Sequence, residues 1–474
     1  MNINQGAGLA CAASAHREQV AGSRYFVCLI LLSLFLCVNL TAQEDQTQAV
    51  RISLDEAVEL AFKNNLSLES SRVGLSTRKR ASDLSWNQFI PSVTAAGSFT
   101  RDNESSTVSG ITIAGGMPEL YTVDAPQWRI SIPFQVQLNL NAAMFENMKR
   151  LRLDYETGLI GYEKARVQLE RDVRKAYHNM LLLQENIELL RVSFANVERQ
   201  VQMAQANYNA GLAPELIFLQ AQVARENMRP VMDQAENGLR LSMAQFAMFL
   251  GMDYDTPFEF VPVSENITFD QFELTEMISK ANSGKPEIRE LQQTIKMMNS
   301  ARMAQVLSLT PSLSVGWNTA PTYLGDPMKD WLSPRPGSLS ITLALQLHSL
   351  IPFSQNFQGI KNIEDQIKTA EIGLAQLING TEIEIYNIVL ALERTRVSAN
   401  AQAQTVNLAQ QAYRLTEQAY EAGLQDYFQV QNAQQSLHQA RVQMLEQQFN
   451  YLNGLIDLEY AIGVPFGTLS KRSE

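Results

Sequence analysis

The chain has 474 residues, 45 % hydrophobic and 18 % charged, with a net charge of −11. This composition excludes a disordered chain or a highly charged coiled coil. A mean hydropathy of −0.15 excludes a multi-helix membrane bundle, and the acidic balance argues against a nucleic-acid partner.

Residues 25–40, YFVCLILLSLFLCVNL, follow Arg17 and Arg24 and precede Thr41-Ala42-Gln43. A basic leader, an apolar run too short to span a bilayer and a small residue at its end predict a cleaved signal peptide over residues 1–42. Leu36 is bulky where lipidation of Cys37 would need a small residue, so an unlipidated chain starting near Gln43 is expected. Cys11, Cys28 and Cys37 would leave with the leader, and His16, His178, His348 and His438 are scattered. No disulfide framework, metal-ligand spacing or cofactor motif is present. No other apolar run reaches 18 residues, so this exported chain can enter a membrane only as β-strands.

The remainder reads as one unit duplicated. The first repeat runs over residues 43–251, a linker over 252–272, the second repeat over 273–463 and a short tail over 464–474. Tyr208-Asn209-Ala210-Gly211-Leu212 recurs 212 residues later as Tyr420-Glu421-Ala422-Gly423-Leu424, and Leu250-Gly251 recurs as Ile462-Gly463. Near the start of each repeat the offset is 220, where Pro91-Ser92 recurs as Pro311-Ser312.

Each repeat opens with a helix, predicted over 54–89 and 274–309. Pro91 and Pro311 then mark the helix-to-strand transitions, because a proline disfavours helix in the residue before it. Strands follow at about 92–101 and 127–140, and at about 312–319 and 339–348. Trp128, Ile130, Ile132, Phe134, Val136 and Leu138 alternate with polar residues, as do Leu339, Ile341, Leu343, Leu345 and Leu347. Alternation over about ten residues suits a transmembrane strand and equally a half-buried strand of a soluble sheet. The connections, 101–126 and about 320–337, read as long surface loops.

Long helices come next, at 141–211 and 213–251 in the first repeat and at 354–423 and 425–462 in the second. Each longer one would reach roughly 105 Å at about 1.5 Å per residue. Ile360, Ile363, Ile367, Ala370, Leu374 and Leu377 step by three and four, the spacing of a coiled coil. Pro230 is expected to interrupt and kink the shorter helix of the first repeat. The fold class is α+β: long α-helices forming a coiled-coil barrel, continuous with a transmembrane β-barrel. Four strands per chain cannot close alone, and open edges are not tolerated in lipid. Three copies would supply twelve strands.

The opening Leu54-Asp55-Glu56-Ala57-Val58-Glu59-Leu60-Ala61-Phe62-Lys63-Asn64-Asn65, the Ile90-Pro91-Ser92-Val93 step, both Tyr-x-Ala-Gly-Leu turns and the closing Leu-Gly and Ile-Gly resemble the TolC-like outer membrane factors. The resemblance covers essentially the whole mature chain. It implies a homotrimer in outer membrane lipid with a periplasmic α-helical tunnel, working with a periplasmic adaptor (membrane fusion protein) and an inner-membrane pump. Its function would be that of a passive exit duct for efflux or type I secretion, without catalysis. Carried over, the adaptor-docking tip would be Gly211, Leu212, Gly423 and Leu424. The positions matching the family's acidic constriction are Gln429 and Asn432, with Asp426 and Glu215 as the nearby acids. Plain helix capping and surface solvation are the alternative readings of these residues. A periplasmic coiled-coil adaptor or scaffold is the competing function; no nucleophile elbow, phosphate loop or clustered acid–base pair supports an enzyme.

Overall fold

The computed structural model describes residues 50–104, 107–124, 127–262, 272–325 and 337–469. The expected signal peptide, residues 1–42, lies outside them, as do residues 263–271 of the linker and 470–474 of the tail.

Eight helices are described: α1 (Leu54–Asn64), α2 (Leu66–Asp83), α3 (Ala143–Asn209), α4 (Glu215–Phe249), α5 (Leu274–Gly284), α6 (Pro286–Leu307), α7 (Gln355–Glu421) and α8 (Tyr427–Ile462). The internal duplication is quantitative. Both long helices, α3 and α7, have 67 residues, and both opening helices, α1 and α5, have 11.

The opening helices are shorter than the pattern suggested. The stretch 54–89 breaks at Asn65, whose side chain accepts from Ser67 N and Leu68 N and so caps a new helix. It ends at Asp83 and continues as a 3-10 turn, Ser85–Phe89. The stretch 274–309 breaks at Lys285, with Pro286 in the first turn of α6, a position where its missing N–H costs nothing. Pro91 and Pro311 stand between the helical segments and the strands, each immediately before a strand. Pro230 does not end its helix: α4 runs through it.

The strands are β1 (Val50–Ile52), β2 (Ser92–Ala95), β3 (Ser98–Arg101), β4 (Thr107–Ala114), β5 (Met117–Asp124), β6 (Trp128–Ser131), β7 (Phe134–Leu140), β8 (Phe258–Phe260), β9 (Ser312–Thr319), β10 (Thr322–Leu324) and β11 (Gly337–Ala344). Each long strand of the first repeat is thus two short ones. Pro133, which cannot donate to a ladder, separates β6 from β7. The last strand sits earlier than 339–348, and Leu347–Leu350 is a 3-10 turn. The stretch 101–126 is not a plain loop, since β4 and β5 pair as an antiparallel hairpin. Gly115 and Gly116 turn it at φ 62° and 84°, the left-handed geometry that a two-residue hairpin turn requires.

Two apolar clusters mark where the short helices pack against the long ones. Ile52, Val58, Ala61, Tyr177, Phe246, Phe258 and Phe260 form the first, and Met277, Ala281, Ile385, Tyr451, Leu455, Leu458 and Ile462 the second. The Tyr177 hydroxyl donates to the carbonyls of Ile52 and Val261 at 3.0 and 2.7 Å, which ties β1 and the segment after β8 to α3. Ile360 and Ile367 on the coiled-coil stripe are buried, and Ile363, Ala370, Leu374 and Leu377 are half-buried.

Candidate pore face and docking tips

β11, β9, β7 and β2 form one antiparallel sheet in that order. The register sorts most of its side chains by face. Leu339, Trp317, Val136 and Val93 form one cross-strand row; Ile341, Val315 and Leu138 form the next, and Leu343, Leu313 and Leu140 a third. Side chains alternate between faces, so these rows share one face. Leu339, Ile341 and Leu343 are 70, 69 and 73 % exposed. The intervening rows carry Ser338, Asn318, Gln135 and Thr94, then Ser340, Gly316, Gln137 and Ser92, then Thr342, Ser314 and Asn139. This second face is polar and uncharged. Gln137 Nε2 donates to Asn139 Oδ1 at 3.2 Å and to Ser314 Oγ at 3.3 Å, and Gln135 Nε2 donates to Gln137 Oε1 at 3.1 Å. Among the described strands, β2 and β11 each pair on one side only. The sheet therefore presents an exposed apolar face and two open edges.

At the other end of the long helices, α3 closes on Gly211 at φ 71° and α7 on Gly423 at φ 72°. Leu212 N donates to Asn207 O and Leu424 N to Ala419 O, both at 2.8 Å, while each glycine N–H donates to the tyrosine carbonyl three residues back. These are Schellman caps, which satisfy the last helical carbonyls and favour glycine at the left-handed position. Leu212 and Leu424 are each 79 % exposed. Leu216 and Phe428, at the same repeat offset, are exposed beside them. The sequence reading missed this second pair, although the offset that aligned the turns also aligns these two. Val201, Ala204, Ala221 and Tyr427 form a buried cluster linking the two turns.

The four candidate constriction residues are all exposed near these turns. The Asp426 carboxylate accepts from Gln429 N at 3.0 Å and caps α8, so it has a structural task. Its equivalent in the first repeat is Pro214, which caps α4 without a side-chain bond. Glu215, at the first position of α4, is the equivalent of Tyr427.

The α3–α8 seam that joins the repeats is polar. Lys175 Nζ meets the Asp457 carboxylate at 2.8 Å, His178 Nδ1 lies 3.2 Å from Asn453 Oδ1, and Gln200 Nε2 donates to Gln434 Oε1 at 3.0 Å. Burial pushes His178 down to about 4, against the opposing hydrogen bond to Asn453. Among the described residues no cluster of His, Cys, Asp or Glu could hold a metal ion, and no helix is long and apolar enough to cross a membrane.

The sequence profile of the outer membrane efflux protein family matches residues 57–251, the body of the first repeat, and the second repeat copies its elements. Over these residues the chain is similar to the outer membrane efflux proteins. Relatives include the probable efflux pump outer membrane protein TtgC of Pseudomonas putida and the antibiotic efflux pump outer membrane protein ArpC of the same species. Each is 21 % identical over 429 residues, 87 % of this chain and 83 % of the relative. The CmeC outer membrane channel of Campylobacter jejuni shares the fold with a TM-score of 0.68 and 14 % identity, over 86 % of this chain and 85 % of that one. VceC of Vibrio cholerae does so with a TM-score of 0.68 and 15 % identity, over 87 and 96 % of the two chains.

Proposed function

We propose that the chain is the outer-membrane exit duct of a tripartite efflux or type I secretion system, a passive homotrimeric conduit from periplasm to exterior. The observation that carries this reading is the four-stranded sheet with one exposed apolar face, one uncharged polar face and two unpaired edges. A bilayer does not tolerate open edges, and pairing β11 of one copy with β2 of the next removes them. Three copies make a twelve-stranded barrel, within the range of outer-membrane barrels. Its apolar face meets lipid, its polar face meets water, and the long helices extend the passage into the periplasm. The exposed Leu212, Leu216, Leu424 and Phe428 at the turns form the docking tip for a periplasmic adaptor, which connects the duct to an inner-membrane pump. Gln429 and Asn432 narrow the passage just inside that tip. The duct carries no chemistry of its own, and relatives named for antibiotic and toluene efflux favour small-molecule cargo.

Detergent-extracted protein tests the reading. A trimeric mass with discrete channels in planar bilayers is expected. A monomer or dimer without conductance overturns it and leaves the periplasmic scaffold. For the constriction, Asn432→Asp is expected to sensitise conductance to divalent cations, because a ring of carboxylates binds them; unchanged block removes Asn432 from the narrow point.

A further inference from the structure

The polar face of the β11–β9–β7–β2 sheet holds amides, hydroxyls, one glycine and, in its last row, Ala344, with no acid or base in any of its cross-strand rows. In a chain with 49 acidic and 38 basic residues, this face is set apart. Its amides are also engaged with one another: Gln135, Gln137, Asn139 and Ser314 bond side chain to side chain, and Ser338 Oγ donates to Asn318 Oδ1 at 2.7 Å. Continuing the alternation outward along β3 and β6, the first charged residues on this face are Arg129 and Asp102. They are of opposite sign, on neighbouring strands. At the other end of the passage, Gln429 and Asn432 are again amides, and the acids there, Asp426 and Glu215, stand nearer the turns, outside the sheet-lined length.

We infer that the passage is electrically neutral along its sheet-lined length, so that this length discriminates little between cations and anions and holds no polyvalent cation. The inference rests on the duct reading and narrows its cargo class to small amphipathic molecules of either charge, rather than metal cations. The physical basis is that selectivity in wide pores comes from rings of fixed charge, acidic for cations and basic for anions. Neutral amides offer donors and acceptors equally and favour neither sign. Amides already bonded to their neighbours are poor replacements for the hydration shell of a multivalent ion.

The test is the reversal potential of the purified full-length trimer in planar bilayers under a potassium chloride gradient. A potassium-to-chloride permeability ratio within about five-fold of unity, in either direction, is expected. Hexamminecobalt(III) at millimolar concentration is expected to lower conductance by less than about two-fold. A ratio beyond that bound, or block at micromolar hexamminecobalt, overturns the inference. Gln137→Glu, which places a ring of carboxylates mid-sheet, is expected to raise potassium preference at least about three-fold; an unchanged ratio means that Gln137 does not face the passage and also overturns it. A verified trimer that conducts nothing overturns the duct itself, a result distinct from a selective channel.

Discussion

Gly463 and Gly284 meet backbone to backbone: a Cβ on Gly463 would lie 2.5 Å from the Gly284 carbonyl carbon. The first repeat makes the same join, because a Cβ on Gly251 would lie 2.3 Å from the Asn64 carbonyl oxygen. In both repeats the end of the return helix is pressed against the break between the two opening helices. Gly211 and Gly423 have the same positive φ but nothing within 4 Å of a Cβ. Four glycines with one backbone geometry therefore carry two different constraints. Gly463→Ala is expected to cost several kcal/mol, through backbone displacement added to about 1–2 kcal/mol of left-handed strain. Gly423→Ala is expected to cost the strain alone. Thermal unfolding midpoints of the two variants check this, and equal losses would contradict it.

The tips offer a prediction about docking. Leu424→Asp and Phe428→Asp remove exposed apolar surface and touch no buried cluster. Trimer yield and melting temperature are expected to stay at the wild-type level while resistance conferred in a pump-dependent efflux assay is lost. Gly423→Val should also leave trimers intact but distort the turn by about 1–3 kcal/mol of strain. Normal efflux with all three variants would remove the docking assignment.

His178 makes stability depend on pH. Its folded value, about 4, lies below the ordinary value of about 6.5. Between those limits the unfolded chain takes up a proton that the folded chain refuses. The contribution is therefore complete above about pH 6.5 and is lost as pH falls towards 4, by up to about 3 kcal/mol. Melting temperature measured from pH 7.5 to 4.5 is expected to fall more steeply in the wild type than in His178→Gln. Parallel curves would show that His178 is not the titrating group.

Lys285 and Glu384 form an asymmetric ion pair at 2.5 Å, with side chains 6 and 45 % exposed. Glu384→Gln strands a buried ammonium that keeps, among the described residues, Thr381 Oγ1 at 3.3 Å, and is expected to cost about 2–3 kcal/mol. Lys285→Met keeps the apolar stem and leaves a carboxylate that water can reach, so it is expected to cost less. Chemical unfolding of both variants ranks them; the reverse order would mean that the ammonium finds water.

The long helices were legible in the sequence because few residues interrupt them, and their ends because Gly-Leu closes each one. The repeat exposed the pairing of those ends. The breaks at Asn65 and Lys285 had local signals, an Asn cap and a proline in the first turn, but the apolar pattern runs through both and hid them. The β4–β5 hairpin was hidden in a stretch read as loop, although Gly115-Gly116 between alternating β-branched residues is a hairpin signal. The contact of Gly463 with Gly284 could not be read from the sequence. It joins residues far apart in the chain, and glycine at a helix end is already explained by its φ. For the pore face, alternation gave the polar face of each strand, but only the register aligned the amides across four strands.

The equal 67-residue lengths of α3 and α7 set a condition on any change in the helices. The two turns are packed together through Tyr427, Val201 and Ala221. Four residues inserted into both α3 and α4 would carry the first turn about 6 Å past the second and pull apart the cluster beneath. Length in this architecture can change only by matched insertions in all four long helices, α3, α4, α7 and α8, at the same distance from the turns.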